Sequence, residues 1–408
     1  MKKEFYNQLD GLRAIAVIGV MLSHWVFLPF IKKLGLGFWG VNLFFVLSGF
    51  LITEILLKQI HRKDSTKNIL MSFYLKRSLR IFPIYYLIVA LAYIFNLDGS
   101  REITEYTLTY TLNFYNAISG NEGSYLSHLW SLCVEEQFYL IWPFLLLLVN
   151  RKYHLHMIIS IIFASVGFRF VLTLAEVNNY SIYNYRIMPA SLDALGLGAL
   201  IAYLKLFKQQ TLRKILQFQL VPIIALSAYI FLSFSNSFHL LSETLLRFSI
   251  SVCCFFIVGK AVFGFSNTFG KLLEVSFIQH LGRISYGLYL YHLLVSTFLE
   301  KNIREIASGN LPAFLPEIVR YNLYIIEVPI NFSFTFLIAM LSYRFIETPF
   351  LRLKDKIDQM QNPYTKQKKG LRQHVQPGDI KVYSFNKHSQ LSNRKKPERF
   401  SDVQLPKS

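Results

Sequence analysis

Residues 37–57 read GFWGVNLFFVLSGFLITEILL, 21 positions in which Glu54 is the only charge. An α-helix rises about 1.5 Å per residue, so this run reaches about 30 Å, the thickness of a bilayer's hydrocarbon core. Outward from it, comparable blocks bounded by charges recur at 12–31, 79–97, 129–149, 157–175, 185–204, 217–234, 248–265, 284–299 and 323–345. Of the 408 residues, 53% are hydrophobic and only 16% charged, whereas soluble globular chains carry about 25% charged residues. The sequence therefore predicts an all-α, polytopic transmembrane helix bundle of about ten spans within 1–350, with no internal repeat and no second soluble domain.

The formal net charge is +19, and 14 Lys/Arg against 5 Asp/Glu lie in residues 351–408. Such a segment reads as a basic, partly disordered cytoplasmic tail near anionic lipid; no nucleic-acid signature accompanies it. Segments 58–80, 150–156, 205–216 and 266–283 hold 15 basic and 2 acidic residues, while the five alternate connections hold 7 basic and 9 acidic. By the positive-inside rule both termini face the cytoplasm, with Lys32 and Lys33 in local dissent. Cys133, Cys253 and Cys254 fall inside apolar blocks and imply no disulfide framework. The first apolar block has no small-residue cleavage site after it and reads as retained.

Ionisable residues inside spans are costly and mark function. Counted at about 1.5 Å per residue, His24 lies about 10 Å below the outer end of span 1, Glu135 and Glu136 about 10 Å below that of span 4, and Arg169, Asp193 and His292 in the same layer. A carboxylate on one ring nitrogen would fix the tautomer and raise the basicity of the other, which nominates His24 as a general base oriented by Glu135 or Glu136. The two glutamates point about 100° apart, so one of them pairs with Arg169 or stays protonated. Asp10, Arg13 and His24 share one stripe of helix 1, with a rise of about 16 Å from Arg13 to His24. Arg77 and Arg80, three apart on one face, suit phosphate through the guanidinium fork, or equally snorkel to lipid headgroups and fix topology. Cys133 reads as packing, Gly49 as a point of close helix approach, and Asp193 and His292 as interhelical partners. Arg344 and Glu347 read as structural, with a helix break at Pro349.

LDGLRAIAVIGVMLSHW (9–25), GFWGVNLFFVLSGFLIT (37–53), YLKRSLRIFPIYYL (74–87), LSHLWSLCVEEQFYLIWP (126–143), ISYGLYLYHL (284–293) and YRFIETPF (343–350) together resemble the acyltransferase-3 family of integral-membrane O-acyltransferases. The resemblance implies transfer of an acyl group, often acetyl, from cytoplasmic acyl-CoA (acetyl-CoA) to a hydroxyl of a carbohydrate or lipid-linked glycan, in a bacterial inner membrane crossed many times. It implies that Arg13 and His24 are essential, and matches Arg77, Arg80, Glu135 and Glu136 to family motifs. Asn42 stands where an aspartate is often found and Ser191 where an arginine usually precedes LDAL, which puts acceptor contacts there in doubt. Only the basic tail follows the motifs, so any second transfer step would need another protein.

The expected mechanism has Arg13, Arg77 and Arg80 hold the CoA phosphates while the pantetheine arm runs up helix 1 to His24. Asp10, Ser48, Tyr139 and Arg169 are candidate substrate or oxyanion contacts, and an acyl-histidine intermediate is the variant. No metal or bound cofactor is expected; acyl-CoA is a substrate. The rival class is a transporter or flippase of lipid-linked sugars, opposed by the lack of an inverted repeat. A non-catalytic assembly partner would leave so many buried charges without purpose.

Overall fold

The computed structural model describes residues 6–26, 28, 33–121, 125–235, 237–310 and 324–353. From 354 onward the expected basic tail lies outside the described residues. Among those residues every regular element is helical. Ten long helices answer the ten apolar blocks: α1 (Asn7–Trp25), α2 (Leu36–His61), α3 (Thr66–Phe95), α4 (Trp130–Leu148), α5 (His154–Leu174), α6 (Leu192–Phe207), α7 (Leu220–Phe234), α8 (His239–Phe263), α9 (Ser285–Asn310) and α10 (Tyr324–Ser342).

Seven of these, with flanking turns, are long and apolar enough to cross a membrane, and α7 makes an eighth if joined to Gln209–Gln217 across a 57° bend. The helices α1 and α9 are the more polar pair. Helix α1 tolerates Asp10 and Arg13 because neighbouring helices rather than lipid surround it: it packs on α2, α9 and the short helix Ser276–Arg283, burying Leu9, Leu12, Val17 and Met21. Helices α2, α6 and α8 are mostly buried and form the centre, while α3, α5 and α10 leave most of their apolar surface facing outward. The chain is thus a multi-pass membrane bundle.

Close approach at the centre rests on glycine. A Cβ on Gly49 would stand 2.0 Å from the Leu195 carbonyl oxygen, and one on Gly198 2.1 Å from that of Val46, so α2 and α6 cross nearly backbone to backbone. Trp142 is locked into the same core by donating from Nε1 to Thr53 Oγ1 at 2.8 Å.

Two boundaries differ from expectation. Helix α1 ends at Trp25 rather than running to 31, because Val26 turns extended (φ −111°, ψ 107°). Pro349 does not break α10: the helix runs on to Leu353. A π-helical turn at Tyr343–Glu347 widens the backbone just before the proline, which has no N–H to donate.

Candidate active site

A cavity opens among α1, α2, α3, α4 and the start of α9. Arg13, Arg77 and Arg80 line it together with Ser48, Glu135 and Tyr139. The spacing of three puts Arg77 and Arg80 on one face of α3, and the spacing of four stacks Glu135 beneath Tyr139 on α4. Tyr139 donates to Glu135 Oε2 at 2.6 Å and Ser48 to Glu135 Oε1 at 2.9 Å, so one carboxylate ties α2 to α4. The Arg77 guanidinium lies 4.8 Å from the centre of the Tyr139 ring. Arg13 pairs with Asp10 one turn away at 2.5 Å. Arg77 and Arg80 make no hydrogen bond or ion pair to any described residue. Asp10 pairs with Arg13, while Glu135, Glu136 and Glu347 act on Arg77 and Arg80 only at longer range, so those two guanidiniums keep their hydrogen-bonding edges open to the cavity.

A second cavity holds His24, which is exposed within it. Ser127, His128, Trp130 and Arg186 line it as well. The His24 ring centre is 5.2 Å from that of His292, which is 4.9 Å from that of His128. His292 Nδ1 is 2.6 Å from the Tyr289 carbonyl oxygen, and a carbonyl only accepts, so Nδ1 carries the proton and Nε2 is the lone-pair nitrogen. That Nε2 is buried without a partner among the described residues. No group of three or more His, Cys, Asp or Glu residues among them could hold a metal ion.

The two cavities share a wall of Val41 and Tyr289. Tyr289 is held there by its hydroxyl, which donates to the His128 carbonyl at 2.8 Å and accepts from the Ser131 hydroxyl at 2.6 Å. Because Arg13 and His24 sit on the same helix about 16 Å apart, α1 is the element that runs from one cavity to the other.

Several expected pairings are corrected. Glu135 is bound to Ser48 and Tyr139 in the arginine cavity and does not orient His24. The expected meeting assumed helix 1 continued to 31; with the helix ending at Trp25, His24 is in its last turn, level with the turn that leads into α4 rather than with Glu135 inside it. Glu136 buries Oε1 without a partner and does not meet Arg169. Arg169 is fully buried and spent on Asp193 Oδ2 at 3.0 Å and the carbonyls of Ala190 and Thr244, so it faces neither cavity as an oxyanion donor. Asp10 is committed to Arg13. The sequence reading passed over His128, which ends the connection before the block at 129–149, and Arg186, the second residue of the block at 185–204; the one available signal was the position of His128 two residues before Trp130 in LSHLWS.

Residues 6–344 match the family described as "Acyltransferase domain". The chain belongs to the acyltransferase-3 family. This acyltransferase-3 chain is 29% identical over 373 residues to O-acetyltransferase OatA of Staphylococcus aureus strain NCTC 8325, covering 84% of this chain and 56% of the relative. It is 30% identical over 378 residues to a putative O-acetyltransferase of Staphylococcus aureus strain COL, covering 86% and 58% respectively. The chain thus spans a little over half the length of these curated relatives. No solved structure matches it.

Proposed function

We propose that this chain is a membrane O-acyltransferase that moves an acyl group, acetyl by likeness to the names of its relatives, from acyl-CoA to a hydroxyl of a cell-surface carbohydrate or lipid-linked glycan. The observation that carries the reading is the arginine cavity. Arg77 and Arg80 make no hydrogen bond or ion pair among the described residues, and with Arg13 they line a space one wall away from His24. Guanidiniums whose hydrogen-bonding edges are not taken by a carboxylate, as those of Arg77 and Arg80 are not, suit the several phosphates of CoA, which they can grip bidentately. By the positive-inside rule this cavity faces the cytosol of a bacterial inner membrane, where acyl-CoA is found.

With the phosphates there, the extended pantetheine arm follows α1 past Val41 and Tyr289 and brings the thioester to His24. His24 accepts the proton of the acceptor hydroxyl as its oxygen bonds to the thioester carbon. The C–S bond then breaks and the proton passes from His24 to the departing sulfur, giving ester and free CoA. We assign a positioning role to His292, whose tautomer is fixed by Tyr289 and whose ring packs with its centre 5.2 Å from that of His24, and the oxyanion contact to Arg186, a cation that lines the cavity of His24. Ser48 and Tyr139 already spend their hydroxyl protons on Glu135, which suits them to hold the donor cavity in shape.

The test uses the purified full chain in nanodiscs. It should bind CoA and consume acetyl-CoA, and His24→Ala should bind CoA as before while acetyl transfer falls by at least about 100-fold, the scale of a general base. Absence of CoA binding would overturn the donor reading; undiminished transfer by His24→Ala would overturn the base.

A further inference from the structure

A third cavity adjoins the His24 cavity and shares no lining residue with the arginine cavity. Phe38, Asn184, Tyr185, Ser242, Glu243 and Arg247 line it. Phe38 and Tyr185 line the His24 cavity too, and their rings stack with centres 5.3 Å apart, so the two spaces meet at an aromatic wall.

Arg247 is only 3% exposed, yet no carboxylate lies within ion-pair distance of it among the described residues. Its Nε donates to the neutral Asn42 Oδ1 at 3.2 Å, and its Nη1 to the carbonyls of Tyr185 (2.8 Å) and Asn184 (3.3 Å). Its Nη2 is buried with no partner, and so is Asn184 Oδ1 on the same cavity wall. Asp193 bonds the equally buried Arg169 at 3.0 Å and reaches Arg247 only at longer range, so one carboxylate serves two buried guanidiniums and Arg247 is the one left without a bond to it. Glu243, the acidic residue of the cavity, accepts from Asn184 Nδ2 at 3.4 Å. The wall thus offers one unspent cationic donor, unspent oxygen acceptors and flat aromatic surface. A buried, unneutralised cation is costly and calls for an anion. Acceptor oxygens beside ring faces are what the hydroxyls and C–H faces of a sugar need.

We propose that this third cavity is the acceptor subsite and that it selects an anionic carbohydrate, a sugar residue whose carboxylate is taken by Arg247. It rests on the reading of the His24 cavity as the transfer centre. Glu243 and Asn184 Oδ1 then accept sugar hydroxyls, and the hydroxyl to be acylated reaches past Phe38 and Tyr185 to His24. Donor, base and acceptor lie in sequence along three adjoining cavities.

Asn42→Asp tests this without removing a side chain. It sets a carboxylate against Arg247 and supplies internally the charge that the ligand would bring, its second oxygen turning from the Phe38 carbonyl to which Asn42 Nδ2 now donates. The probes are methyl β-glucuronide and its neutral counterpart methyl β-glucoside, with binding to the full-length protein in nanodiscs measured by saturation-transfer NMR titration. The wild type should bind the glucuronide about 10-fold or more tighter than the glucoside, as a charge-assisted bond requires. Asn42→Asp should abolish that preference while its melting temperature and CoA affinity hold; Arg247→Lys, which keeps charge but loses the fork, should reduce the preference. Equal binding of the two sugars by the wild type, binding of neither, or an unchanged preference in Asn42→Asp would overturn the proposal. Failure of CoA binding in the wild type would instead fall on the donor reading.

Discussion

Arg80 gives the sharpest test of the donor cavity, because it lines that space and makes no hydrogen bond or ion pair to a described residue. Arg77 is the poorer choice: it lies 4.8 Å over the Tyr139 ring, so removing it also disturbs the Ser48, Glu135 and Tyr139 cluster. Arg80→Gln breaks no hydrogen bond or ion pair and removes only the longer-range attraction to Glu135 and Glu347, so folded stability should stay within about 1 kcal/mol of wild type. If the guanidinium grips phosphate, the lost charge-assisted bond is worth about 1.5–3 kcal/mol, or about 10- to 150-fold in the CoA dissociation constant. The assay is calorimetric titration of CoA into the nanodisc-embedded protein at two ionic strengths, beside a thermal melt. Affinity should fall in the variant, its salt dependence should weaken with it, and the melt should not move. An unchanged dissociation constant would return Arg80 to the role of a lipid-headgroup anchor, and a loss of affinity matched by a loss of stability would refute the premise that it is free for ligand.

Three further outcomes follow from named contacts. Asp193→Asn strands the fully buried Arg169 and should cost about 3–5 kcal/mol, read as a lower melting temperature with no change in CoA affinity of the folded fraction. Gly49→Val drives a side chain into a space where even a Cβ lies 2.0 Å from the Leu195 carbonyl oxygen; a cost of at least about 1–3 kcal/mol should appear as poor folding yield, while Gly167→Ala, with nothing within 4 Å, should be silent. His292→Asn keeps a donor for the Tyr289 carbonyl but removes the lone-pair nitrogen beside His24. Acetyl transfer should drop about 10- to 100-fold at unchanged CoA affinity, and an unaltered rate would take the positioning role from His292.

The bundle was legible in the sequence because lipid imposes one rule on every block: about 20 apolar residues per crossing, helical throughout. The arginine cluster was legible for a related reason, since i, i+3 spacing on α3 and the position of Arg13 are fixed by a single helix at a time. What failed required knowledge of two helices at once. Depth counting set His24 beside Glu135, but hydropathy does not register where a backbone stops being helical, and the extended Val26 moved the end of α1 by more than a turn. Which acid neutralises Arg169 could not be read from spacing either, since Asp193 belongs to a different helix, 24 residues on. Arg247 was counted as a loop charge because the apolar block starts at 248, whereas α8 begins at His239 and carries Arg247 well inside.

Positive charge in this bundle is disposed in two ways. Lys58 and Lys205 are both held by Glu54, at 3.0 and 2.8 Å, in a cluster closed by Tyr6. Arg169 is matched by Asp193 and Arg13 by Asp10. In this bundle a buried or half-buried cation normally has its carboxylate, as the low dielectric demands. Arg77, Arg80 and Arg247 depart from that pattern, and each lines a cavity. Had these cations served only packing, a single acidic substitution near each would have neutralised them, as Asn42 beside Arg247 makes plain. Their remaining unpaired at the two ends of one row of cavities, with His24 between, is the pattern expected when two different anionic ligands approach a shared reaction centre from opposite sides.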